Sequence, residues 1–170
     1  SNGDNGHILL EPTSTNLIPY SEDFSEWISI DGVVPTDNFT TSPEGLVNAA
    51  KLVFNGTTDS RIELNVPTSG TNTQSVYLKT ESGTQNVSIG ASSTDLSQFT
   101  ITDKWVRYSH TGGGNYPRIL CSDAATIYAY GAQLEALPYA TSYIPNHGTA
   151  VGITRATETL NGSGNSTLIN

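Results

Sequence analysis

The apolar residues of this chain arrive in short runs that alternate with polar ones, and no helix-length window concentrates Ala, Leu, Glu and Lys. A period of two places alternate side chains on opposite faces of a strand, so this pattern excludes helical and βαβ folds and predicts short β-strands. In residues 74–80, Val76 and Leu78 fall on one face and Tyr77 and Lys79 on the other; in residues 86–91, Val87 and Ile89 oppose Asn86 and Ser88. The intervening Glu81-Ser82-Gly83-Thr84-Gln85 reads as a turn, which predicts a hairpin. Residues 105–110 alternate Trp105, Arg107 and Ser109 with Val106, Tyr108 and His110. Residues 126–135 alternate Tyr128, Tyr130, Ala132 and Leu134 with Ile127, Ala129, Gly131, Gln133 and Glu135. Residues 50–54, 61–66 and 98–101 complete seven predicted strands, and the expected fold is all-β, an antiparallel β-sandwich or jelly roll of two sheets.

Composition supports order rather than disorder. Ser, Thr, Asn and Gly make up 72 of the 170 residues, but Val, Ile, Thr and Tyr, which suit a pleated surface, are interleaved among them. One domain is expected at this length. Its boundaries are drawn as a connector over 1–15, the sandwich over 16–155, and a flexible linker over 156–170, because Asn161-Gly162-Ser163-Gly164-Asn165-Ser166 is linker-like. With 7 basic and 16 acidic residues the net charge is −9, which disfavours nucleic acid and anionic membranes as partners. No run approaches the ~18 consecutive apolar residues of a membrane span. Cys121 is the lone cysteine, so neither an internal disulfide nor a paired-cysteine zinc site is available.

Local signatures of catalysis are missing: there is no His-Glu-x-x-His pair, no Gly-x-Ser-x-Gly elbow and no phosphate loop. Gly112-Gly113-Gly114 lacks a following Lys and reads as a loop or hairpin tip. His7, His110 and His147 are scattered, giving little support to a histidine-based nucleophile, and no enzymatic activity is expected. Glu22, Asp23 and Glu26 are candidates for a structural calcium site, with a polar turn as the alternative; no other cofactor is expected.

Aromatic and polar surface remains. With Val76, Leu78, Val87, Ile89, Val106 and Tyr108 facing the core, Tyr77, Lys79, Asn86, Trp105 and Arg107 are left on the opposite face. Sugars stack their C–H faces on aromatic rings and give their hydroxyls to amide and charged groups, so this set, with the loop residue Tyr116, forms the candidate ligand site. The alternative is that Trp105 and Arg107 lie under a covering loop, with Arg107 stacked on a ring for structural reasons. Trp27 is expected in the core.

Four strings, in this order, resemble a module recurrent in tail and tail-fibre proteins of bacteriophages. They are Leu9-Leu10-Glu11-Pro12 with Thr15-Asn16-Leu17-Ile18-Pro19-Tyr20-Ser21-Glu22-Asp23-Phe24, Trp105-Val106-Arg107-Tyr108-Ser109, Tyr130-Gly131-Ala132-Gln133-Leu134-Glu135, and Tyr139-Ala140-Thr141-Ser142-Tyr143-Ile144-Pro145. The first and third also look like the opening and closing strands of carbohydrate-binding modules with the galactose-binding-like jelly roll. The resemblance implies a lectin-like, extracellular or virion-surface module that binds polysaccharide or cell-surface glycan beside neighbouring domains, one of them after Asn170. Where such modules carry an acidic calcium-holding residue in the last strand, this chain has Tyr130. A structural tail-assembly domain that packs in an oligomer without binding glycan is the rival reading, and a polysaccharide lyase or glycosidase a third. The acidic balance tilts the expected ligand toward neutral glycans, unless Lys79 and Arg107 form a cationic patch for uronic acids.

Overall fold

A computed structural model describes residues 11–157. Residues 1–10 and 158–170, with most of the two connectors expected at the ends, lie outside the described residues. Twelve strands form: β1 (Ser14–Asn16), β2 (Ile28–Ile30), β3 (Val34–Thr41), β4 (Val47–Asn55), β5 (Arg61–Glu63), β6 (Thr71–Thr80), β7 (Thr84–Gly90), β8 (Ser97–Thr102), β9 (Val106–Gly113), β10 (Arg118–Leu120), β11 (Ala124–Glu135) and β12 (Ile153–Arg155). All pairings are antiparallel, in one sheet of order β2-β5-β10-β7-β8 and another of order β3-β4-β11-β6-β9, with a small β1-β12 ribbon at the side. The all-β two-sheet sandwich read from periodicity is therefore the fold.

Between the sheets lie the inward residues of each strand: Ala50, Leu52 and Phe54 of β4, Val76 and Leu78 of β6, Val87 and Ile89 of β7, Ile119 of β10, and Ile127 and Ala129 of β11, joined by Trp27 and Phe24. Burial of this contiguous apolar surface drives the two sheets together. Cys121 is part of this core, and its burial raises the thiol pKa.

Four expectations need correction. β6 and β7 do not form a hairpin: β6 pairs with β11 and β9, β7 with β10 and β8, so residues 81–83 turn a corner from one sheet to the other. Gly112 and Gly113 belong to β9 rather than to a loop tip. A Cβ on Gly112 would crowd Asp95 Oδ2 and His110 Nε2, so a side chain at this strand position would push the Asp95 carboxylate away from His110. Val106, on the edge strand β9, is 43% exposed, while Tyr108 packs against the core margin and Phe99. Finally, the alternation in β11 changes phase. The register with β6 shifts between Tyr130 and Gln133, at Gly131 with φ +62°. This bulge sends Ala132 and Leu134 inward with Ile127 and Ala129, and leaves Tyr128, Tyr130, Gln133 and Glu135 on the outer face.

Candidate functional site

The outer face of the β3-β4-β11-β6-β9 sheet divides into a covered half and an open half. Leu137 to Asn146 lies as a strap over the covered half. Thr73 Oγ1 donates to Leu137 O at 2.7 Å, Ile144 N to Gln133 Oε1 at 2.7 Å, and Tyr143 Oη to Glu22 Oε1 at 2.9 Å. The carboxylate of Glu135, fully buried, accepts from Ser14 Oγ, Thr141 Oγ1 and Thr141 N. The Tyr143 ring meets Tyr130 edge-on with centroids 5.4 Å apart. Burial pushes both phenols above the usual tyrosine range, helped at Tyr130 by Glu44 and at Tyr143 by Glu22.

Arg107 is the clamp of this strap. Its guanidinium donates to Thr141 O at 2.5 Å and Ser75 Oγ at 2.8 Å, and lies 5.6 Å from the ring centroid of its cross-strand partner Tyr77. Desolvation lowers its pKa, offset by Tyr77 and Glu135. The covering-loop alternative thus describes Arg107.

On the open half, one rung of the ladder sets Tyr128 of β11 between Lys51 of β4 and Lys79 of β6. Phe39 stacks on Tyr128 with centroids 6.0 Å apart and planes 14° apart, and Lys51 Nζ sits 4.0 Å from the Phe39 centroid. Lys79 Nζ lies 5.1 Å from the Trp105 ring and 5.3 Å from Tyr128. Trp105 Nε1 donates to Thr41 O at 3.1 Å. That bond links the end of β3 to the residue before β9, at the two opposite edges of the sheet. Phe39, 46% exposed, and the partly exposed Trp105 offer ring surface with the two ammonium groups beside them. At a strand spacing of about 4.8 Å, the row from β4 to β9 is roughly 14 Å long.

The structure brings Tyr77, Lys79, Trp105 and Arg107 to this outer face and separates the other two candidates. Asn86 is on β7 in the other sheet, where Thr100 Oγ1 donates to its Oδ1. Tyr116 lies between β9 and β10, its N–H bonded to Ala91 O. Phe39, Lys51 and Tyr128 complete the row and were not read as ligand residues. Lys51 was legible, since Ala50, Leu52 and Phe54 alternate with it. Phe39 was not, because β3 is bulged and Asn38 has φ +52°.

Glu22, Asp23 and Glu26 do not converge: the oxygens of Glu22 are taken by Asn48 Nδ2 and Tyr143 Oη, and Glu26 points to solvent. Among the described residues no group of three or more His, Cys, Asp or Glu is placed to hold a metal. Contrary to the scattered histidines of the sequence, His110 does meet Ser97 Oγ, 2.8 Å from Nδ1, and Asp95 Oδ1, 3.1 Å from Nε2. The ring is walled in, however. Asp95 also accepts from Gly113 N, and neither Gly90 nor Gly112 leaves room for a Cβ beside it, so this trio fastens the Ser92–Leu96 loop to β9. A separate concavity of about 550 Å³, between Leu17, Pro19, Val66, Pro67 and Val151, has no convergent charged groups.

Fold and face together define an antiparallel two-sheet sandwich with aromatic rings on the outer surface of one sheet. No protein-family model matches the chain, and no curated protein does. Among solved structures it is similar to the N-terminal endo-1,4-β-D-xylanase 10B of Clostridium thermocellum, in its CBM22-1 and GH10 modules complexed with xylohexaose: 13% identity, TM-score 0.49, 80% of this chain and 30% of that one. It is also similar to CBM35 from Paenibacillus barcinonensis, at 21% identity and TM-score 0.47 over 75% of this chain and 100% of that one. A third likeness is to the enzymatically active domain of tailspike protein 4 of bacteriophage CBA120, at 15% identity and TM-score 0.44 over 70% of this chain and 21% of that one. The chain thus spans less than a third of the xylanase and tailspike chains. No helix among the described residues is long and apolar enough to cross a membrane.

Proposed function

We propose that the chain is a non-catalytic polysaccharide-binding module of a surface-exposed modular protein, a viral tail or other extracellular protein, holding glycan for a neighbouring domain. The observation that carries this reading is the outer face on which Phe39 and Trp105 present ring surface beside Lys51 and Lys79. Rings fixed on a sheet lose little freedom on binding and supply apolar area for sugar C–H groups, while lysines and tyrosine hydroxyls serve the polar ones. Tethered to another domain, even a weak module raises the local concentration of its polymer. The ligand set is Phe39, Lys51, Tyr77, Lys79 and Trp105, with Arg107 supporting it from below the strap.

A glycan array with affinity electrophoresis on common polysaccharides tests the proposal. Binding that Phe39→Ala abolishes, at an unchanged melting temperature, is expected; an intact fold that binds no glycan rejects it. A second reading, assembly against another copy or a further virion part, draws on the exposed cross-strand pair Val34 and Val53 and on the exposed Phe39 of the same strand β3. Light scattering discriminates: a stable oligomer in which Phe39 is protected from solvent would favour assembly.

A further inference from the structure

Seven basic side chains serve a chain with sixteen acidic ones. Four of the seven lie within 4.0 Å of a carboxylate: Arg61 with Asp59 and Glu63, Lys104 with Asp103, Arg118 with Glu63, and Arg155 with Glu11. Lys51, Lys79 and Arg107 have no such partner among the described residues, and all three stand on the same outer face of one sheet. Arg107 spends its donors on Thr141 and Ser75. Lys51 and Lys79 instead face aromatic rings. Even Glu81, whose Oε1 accepts from Tyr128 Oη at 3.3 Å, stays beyond 4.0 Å of Lys79.

We propose that the glycan held on this face is a carboxylated one, a polymer bearing uronate or another acidic sugar, with Lys51 and Lys79 pairing its carboxylates on either side of Tyr128. This rests on the polysaccharide-binding reading and specifies its ligand. Rings beneath the ammonium groups keep them in place and keep water from one side, which strengthens a charge-assisted bond to an incoming carboxylate. The two lysines spring from strands two spacings apart, about 10 Å, so they suit charges on separate sugar residues better than one shared carboxylate. The net charge of −9 opposes acidic polymer over the domain as a whole, so the attraction has to come locally from Lys51 and Lys79.

A glycan array holding uronate-bearing and neutral polysaccharides, followed by calorimetry on the strongest binder, tests this. The strongest binders should be acidic, their affinity should fall as NaCl rises from 50 to 300 mM, and chemical reduction of their carboxyl groups should remove most of it. Lys51→Gln and Lys79→Gln should each weaken binding about tenfold, and Lys→Arg at either position should restore it, whereas Arg61→Gln, whose guanidinium is paired with Asp59 and Glu63 in the other sheet, should have much the smaller effect. Neutral polymers as the strongest binders, or an acidic binder indifferent to both Lys→Gln changes, would overturn the carboxylate assignment while leaving glycan binding standing. A folded protein that binds nothing on the array overturns both.

Discussion

Arg107→Ala separates a strap clamp from a ligand residue. The guanidinium makes two charge-assisted bonds, to a backbone carbonyl of the buried Thr141 and to the buried Ser75, and covers one face of Tyr77. Bonds to a charged group contribute about 1.5–3 kcal/mol each, and a partly buried cation over a ring about 1 kcal/mol. Removal also frees Nε, which is buried without a partner among the described residues, and so relieves a cost. We therefore take the lower end of each range, roughly 3–4 kcal/mol. For a domain of this size, 1 kcal/mol shifts Tm by about 2–4 °C, giving a fall of roughly 6–16 °C. The assay is urea and thermal unfolding followed by tryptophan fluorescence. Arg107→Lys, which keeps charge but loses the fork, should recover only part of the loss. A Tm within about 2 °C of the parent, coupled with lost glycan affinity, would refute the clamp and make Arg107 a ligand residue.

Gly131→Ala should destabilise by about 1–2 kcal/mol in urea, because the bulge needs φ +62° and a Cβ would press on the Tyr143 ring at 3.3 Å; an unchanged midpoint would mean that the bulge is not required. Stability should decline as pH rises above about 10. Tyr130 and Tyr143 keep their protons in the folded state at pH values where the unfolded chain has lost them, so the folded state binds more protons there and alkali favours unfolding. Tm measured from pH 8 to 11 should be flat at first and then fall, less steeply in Tyr143→Phe. Cys121, with no exposed surface and a thiol pKa raised by burial, should react with a thiol reagent only at the rate of unfolding, and its labelling should accelerate in step with urea denaturation.

The faces of single strands were readable because burial and the pleat share one period: Val76 and Leu78 inward, Tyr77 and Lys79 outward, was settled by the alternation alone. Which strands become neighbours was not readable. Glu81-Ser82-Gly83 suits a hairpin and a corner equally, and only the sandwich, which needs β6 and β7 in different sheets, chooses the corner. Gly131 hid a phase change because a residue without a side chain fits either face. The aromatic and cationic character of the candidate face was therefore in the sequence, whereas its membership was decided by the tertiary structure: Asn86 left it, Phe39, Lys51 and Tyr128 joined it, and Arg107 became a clamp. The physical reason is distance along the chain. Periodicity reports a side chain's relation to its own strand, but the row from Lys51 through Tyr128 and Lys79 to Trp105 is made of residues brought together only by inter-strand hydrogen bonds and by a core that holds the sheets in register.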